Sequence, residues 1–125
     1  MQDYHRLDIW KRAMAFTVDI YRFSVDLPEM ERYNLVTQLR RSATSVPLNI
    51  AEGSGCSSNP EFAQFLSYAY RSLKELITSL EICERLYPER GSAQLAGLID
   101  EGNQISRMTW TFMQRLGARG TGWSS

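Results

Sequence analysis

Apolar positions recur every three or four residues along most of this chain, and their interruptions divide it into four segments of helical period. No stretch competes with the period of two that marks a half-buried strand. The third segment is the most regular. Phe62, Leu66, Ala69, Leu73, Leu76, Leu80, Cys83 and Tyr87 alternate steps of four and three, the seam of a left-handed bundle. Ser58-Asn59-Pro60-Glu61 precedes it as a capping box with proline in the first turn. The fourth segment, with Ser92 as its expected cap, has the seam Leu95, Leu98, Gly102, Ile105, Thr109, Phe112 and Leu116. Gly102 and Thr109 are small enough to let a neighbouring helix approach closely.

The second segment places Leu35, Leu39, Ala43, Val46 and Ile50 on one face and Gln38, Arg41, Ser45, Asn49 and Glu52 on roughly the opposite one. Pro47 interrupts both faces. It removes the amide that would bond the Ala43 carbonyl, so the sequence predicts a helix bent at that place. Asn34 is its expected cap, and Gly53 and Gly55 suit a C-terminal stop.

The first segment, from Asp8 as N-cap to Leu27 before Pro28, has too much apolar surface for a monomer. Leu7, Trp10, Met14, Val18, Tyr21 and Val25 form one stripe, and Ile9, Ala13, Phe16, Ile20, Phe23 and Leu27 a second. At about 100° per residue the two lie more than a third of a turn apart. Asp8, Lys11, Arg12, Asp19, Arg22 and Asp26 make the polar face. A surface helix needs an apolar arc of about 100°, and this one spans roughly twice that. The excess calls for a second burial surface. Periodicity leaves open which stripe faces the core, and Ile9, Ala13, Phe16, Ile20 and Phe23 are the candidate subunit interface.

These elements predict an all-α protein, an antiparallel up-down four-helix bundle over residues 1–116, with a flexible tail over 117–125. Pro28 to Tyr33 reads as a charged connection, and Tyr87-Pro88-Glu89-Arg90-Gly91 as a break. The 125 residues suffice for one core. Formal charge is zero, 14 basic against 14 acidic residues, so no global field draws the chain to nucleic acid or an anionic membrane. The N-terminus lacks a secretory pattern and no stretch is apolar enough to span a membrane, which leads to a cytoplasmic expectation with no membrane partner. Cys56 and Cys83 have no metal-type spacing and are expected to be reduced thiols.

Catalytic groups are scarce. The only histidine, His5, sits near the terminus without evident neighbours, which argues against a Ser/His or Cys/His nucleophile. No Glu-x-x-His pair exists for a di-iron site, and Gly53-x-Gly55 follows a helix rather than a strand, as a helix cap would. No catalytic residue, metal or cofactor is expected. On the third helix Ser67, Arg71, Lys74, Thr78 and Arg85 share an arc away from the seam, and Arg40 projects from the second helix. Arg40, Arg71, Lys74 and Arg85 are therefore the candidate contacts for RNA or DNA phosphate, against the plainer reading of a solvated face flanked by Glu75 and Glu81. The aromatic residues fall mostly in core registers, so no exposed stacking platform is expected.

Gln38-Leu39-Arg40-Arg41-Ser42-Ala43-x-Ser45-Val46-Pro47-x-Asn49-Ile50-Ala51-Glu52-Gly53, followed by Glu61-Phe62 and Phe65-Leu66, resembles the bacterial four-helix-bundle proteins encoded in intervening sequences of 23S ribosomal RNA. That family is related to the accessory variability protein of diversity-generating retroelements. The resemblance implies a homo-oligomer, specifically a homopentameric ring. Two roles compete. The scarcity of catalytic groups and the broad apolar arc of the first helix point to a non-enzymatic assembly or adaptor module, whereas the resemblance implies a nucleic-acid-binding accessory subunit with a reverse transcriptase as partner. Because the motif falls on Gln38, Arg41, Ser45, Asn49 and Glu52, these side chains become candidates for bonds between helices or between subunits, as an alternative to a solvated face. Arg41 and Glu52 are the expected charge-assisted partners.

Overall fold

The computed structural model describes residues 3–119. Four helices, α1 (Asp8–Val25), α2 (Leu35–Ser54), α3 (Asn59–Leu86) and α4 (Ser92–Arg119), make up the fold, with one short 3-10 turn at Tyr4–Arg6 before α1 and another at Glu29–Glu31 between α1 and α2. Side-chain pairings show the direction of each helix. Thr17 and Ser24 on α1 meet Ala43 and Arg40 on α2 in falling order, Gln38 and Ser45 on α2 meet Glu75 and Ser72 on α3, and Phe62 and Tyr70 on α3 meet Phe112 and Trp110 on α4. Each helix is thus antiparallel to the next, and α1 closes the ring onto α4. This is the up-down four-helix bundle that the seams imply.

The α3 and α4 seams are the core. Leu66, Leu73, Leu76, Leu80 and Ile105 are fully buried, and so are Leu39 and Ile50 of α2. Each buried side chain of this size contributes about 1.5–3 kcal/mol relative to an exposed one. On α1 the core-facing stripe is Ile9, Ala13, Phe16, Ile20 and Phe23, all buried within the subunit. Their candidacy as a subunit interface is therefore corrected. They cover the seams of α2 and α4, and the surplus arc is the other stripe.

Several ends differ from their sequence reading. Asp8 is the first helical residue of α1 and Leu7 occupies the cap position without a side-chain bond. Asn34 stands at the α2 cap but its side chain makes no cap bond. The α3 box forms as its sequence dictates, with the Glu61 amide donating to Ser58 Oγ at 3.3 Å and Ser58 Oγ donating to Glu61 Oε1 at 2.9 Å. Gly53 is no stop signal. It lies inside α2, where a Cβ would stand 2.8 Å from Phe62 Cδ1 and 2.9 Å from Phe65 Cβ, so it sets the α2–α3 approach. Helix α4 runs past the expected boundary at 116 to Arg119 and buries Gly117; the remainder of the expected tail, 120–125, lies outside the described residues. Glu31 is not a solvated loop charge. It is buried, and Tyr87 Oη donates to its carboxylate. Together with Arg90 Nη1 donating to the Asp26 carbonyl at 2.6 Å, this bond ties the first connection to the third.

Candidate functional site

The polar stripe of α2 turns out to be a seam between helices. Gln38 Nε2 donates to Glu75 Oε2 at 3.0 Å, the hydroxyls of Ser45 and Ser72 meet at 2.8 Å, and Asn49 Nδ2 donates to Ser45 Oγ at 3.0 Å and to the Ser45 carbonyl at 2.8 Å. Partly buried hydroxyls and amides need such partners; α3 supplies them for Gln38 and Ser45, and Ser45 of α2 itself supplies them for Asn49. The expected Arg41–Glu52 pair does not form. Eleven residues of helix separate the two by roughly 16 Å, and Arg41 instead donates to Gln38 Oε1 at 2.9 Å. Glu52 is exposed.

Arg40 does not join the cations of α3. Its Nε donates to Ser24 Oγ at 2.8 Å and its guanidinium lies 4.8 Å from the Tyr21 ring, so it is committed to α1. Arg85 is exposed near the end of α3, eleven residues and roughly 16 Å beyond Lys74. The four proposed phosphate contacts therefore do not form one site. Arg71 and Lys74 have aromatic partners, Arg71 over Tyr68 at 6.0 Å and Lys74 Nζ over Tyr70 at 5.0 Å.

Lys74 also borders a groove of about 400 Å3 between α3 and α4, with Tyr70, Asn103, Arg107, Trp110 and Thr111. The rings of Tyr70 and Trp110 are 5.5 Å apart and tilted by 46°. Trp110 is 48% exposed. This corrects the expectation that no aromatic platform reaches the surface. Trp110 follows the buried Thr109, and one step of about 100° carries it out of the seam.

A second contact that the sequence hides joins α1 to α4. Arg12, assigned by pattern to the solvated face, donates through Nε to Glu101 Oε2 and through Nη2 to Gln104 Oε1, each at 3.0 Å, and through Nη2 also to Glu101 Oε1. The two-pronged bond to Glu101 raises the guanidinium pKa above its ordinary value, against the opposing effect of burial. Arg107, Thr111 and Arg115 of α4 stand beside this clamp along a groove of about 600 Å3.

The outer stripe of α1 is left open as a line of apolar side chains. Met14 is 42%, Val18 45% and Val25 69% exposed, and Tyr21 is exposed beside them. All four lie on one face, at spacings of four, three and four.

Candidate nucleophiles and bases are few. His5 has neighbours after all, since its Nδ1 lies 2.8 Å from Asp3 Oδ1 and its ring stacks on Tyr4, but the pair is exposed. That hydrogen bond lowers the Asp3 pKa. Burial, more than the nearby Glu31 charge, pushes the Cys83 thiol up to about 11, as an inert core cysteine requires. The Cys56 thiol is raised by burial and by Glu61 and Glu52, so neither sulfur is activated. Among the described residues no group of three or more His, Cys, Asp and Glu side chains is placed to hold a metal ion, and no helix is long and apolar enough to cross a membrane.

The fold and its bonded α2–α3 seam define a small antiparallel four-helix-bundle protein. The chain belongs to the 23S rRNA-intervening sequence protein family, whose pattern it matches over residues 5–111. It is similar in structure to a crystallised protein of unknown function from the S23 ribosomal protein family of Bacteroides thetaiotaomicron. The TM-score is 0.74 at 23% identity, over 85% of this chain and 98% of that one. At that identity the likeness concerns the fold. No curated protein matches the chain.

Proposed function

We propose that this chain is a cytoplasmic, non-enzymatic assembly or adaptor module that self-associates through the outer stripe of α1. The observation that carries this reading is the line of Met14, Val18, Tyr21 and Val25, left open after the other stripe has been buried in the core. Contiguous apolar surface of this kind marks interfaces. A ring of five copies is the assembly proposed, as the family resemblance implies; cyclic closure of this kind covers the same stripe on every copy and leaves no open edge. Light scattering tests it. The expected mass is five times the 14.4 kDa of the chain, falling to a folded monomer in the double variant Val18→Glu/Val25→Arg. A wild-type monomer that persists at high concentration overturns the reading.

A second reading, an accessory subunit that contacts nucleic-acid phosphate, is supported by Lys74 and Arg107 at one groove, with Arg71 exposed on the same helix as Lys74. Binding of structured RNA at two salt concentrations tests it, since phosphate contacts weaken as salt rises. Charge reversal at Arg71 and Lys74 is expected to abolish binding without changing the oligomer mass.

A further inference from the structure

Deepening the second reading and resting on it, we propose that the α3–α4 groove is a base-stacking site. It would take an unpaired nucleobase on Trp110 and the flanking phosphate on Lys74 and Arg107. The required chemistry is a flat apolar face with cations beside it. Trp110 supplies the face. Tyr70 buttresses it at 5.5 Å, and this contact limits the rotamers an exposed tryptophan would otherwise sample. Lys74 covers the Tyr70 ring at 5.0 Å, so the cation is held at the margin of the shelf while the Trp110 face stays half open.

The groove also holds groups that suit a nucleotide better than a plain apolar ligand. Arg107 precedes Trp110 by three residues and Thr111 follows Arg107 by four, so all three project toward neighbouring directions of α4. Asn103, half-buried one turn earlier, offers a donor and an acceptor in the fixed geometry that a base edge presents. Glu75, next to Lys74 in sequence, accepts from Gln38 of α2 and lines with Lys74 the adjoining α2–α3 groove, so its charge is engaged by an amide. A regular duplex hides its base faces, so the site selects an unstacked base, whether in a single strand or a free nucleotide.

Three probes distinguish these sources: a ten-residue single-stranded oligoadenylate RNA, the same strand paired with oligouridylate, and AMP. The single strand is expected to bind and to quench tryptophan emission, the quenched part being absent from Trp110→Phe. Trp110→Ala is expected to weaken binding roughly 5- to 150-fold, the range for one stacked base, while Trp110→Phe keeps most of the affinity. Lys74→Met and Arg107→Met should each reduce the slope of log affinity against log salt by about 0.7, one single-strand phosphate contact apiece. The duplex should show no dependence on Trp110. AMP binding with the same dependence would identify a free nucleotide as sufficient, and its failure beside strand binding would identify a strand. Unchanged affinity in Trp110→Ala, with loss on charge reversal at Lys74, overturns stacking and leaves the phosphate reading standing. No binding of any probe at low salt overturns both. A change of oligomer mass in Trp110→Ala would make Trp110 a subunit contact and overturn the proposal. Circular dichroism of each variant separates these outcomes from misfolding.

Discussion

The hydroxyl of Thr17 on α1 lies 3.1 Å from the carbonyl of Ala43 on α2, the carbonyl that Pro47 leaves without an amide partner four residues later. The same hydroxyl lies 2.8 Å from the Ala13 carbonyl, so its single proton is shared between the two helices. A buried proline inside α2 is thus accommodated by a group from another helix. The hydrogen bond that Pro47 removes from α2 and the α1–α2 packing are one feature.

Replacing Thr17 by valine keeps the volume and strands the Ala43 carbonyl, and is expected to cost about 1–2 kcal/mol. In a Pro47→Ala background the amide of residue 47 can serve that carbonyl, and the cost should shrink. Urea denaturation of the four proteins measures the coupling, expected at about 1 kcal/mol. Purely additive effects would show that Thr17 does not compensate for the proline.

Two glycine substitutions should have opposite signs. At Gly53 an alanine Cβ would meet Phe62 and Phe65 at under 3 Å, and overpacking is expected to destabilise by about 1–3 kcal/mol. At Gly97, inside α4 with no neighbour within 4 Å, the same change should stabilise by up to about 1 kcal/mol through helix propensity alone. Thermal melts of the pair decide the matter.

The clamp between α1 and α4 is partly open to solvent, with side-chain exposures of 36% for Arg12 and 32% for Glu101, so screening limits its worth. Glu101→Gln is expected to cost about 1 kcal/mol at low salt and less at high salt. A loss independent of salt would mean that packing, not charge, holds this edge.

Stability should fall on the alkaline side in a way that depends on Cys83. Its folded pKa is raised to about 11 from 9.0, mainly by burial. The folded form holds the proton more tightly, so the contribution is complete below pH 9 and is lost as pH rises from 9 to about 11. Within that window Cys83→Ala should flatten the dependence by up to about 1.4 kcal/mol per pH unit, one proton's worth. Tyr87, raised chiefly by its bond to Glu31, titrates in the same direction and remains in the variant. A wild-type limb unchanged by Cys83→Ala would refute the assignment.

Helices were legible because their signals are local. The steps of four and three from Phe62 to Cys83 all became buried positions, and Ser58 and Glu61 capped α3 as their spacing requires. Short connections then left only antiparallel neighbours. The polar stripe of α2 was readable as residues, but its partners Glu75 and Ser72 were not, since nothing local states the register between α2 and α3. Arg12 and Glu101 meet across 89 positions of sequence for the same reason.

What the chain determined alone was period, caps and the surplus of apolar surface on α1, because each depends on residues within one or two turns. What only the tertiary structure decided was allocation. Both stripes of α1 are apolar enough to be core, and the choice of Ile9 to Phe23 over Met14 to Val25 was settled by how α1 fits against α2 and α4, where Thr17 reaches Ala43 and Arg12 reaches Glu101. The emergence of Trp110 beside Tyr70 has the same origin. A helical angle says which side of its own axis a residue occupies, and only the neighbouring helix decides whether that side is covered.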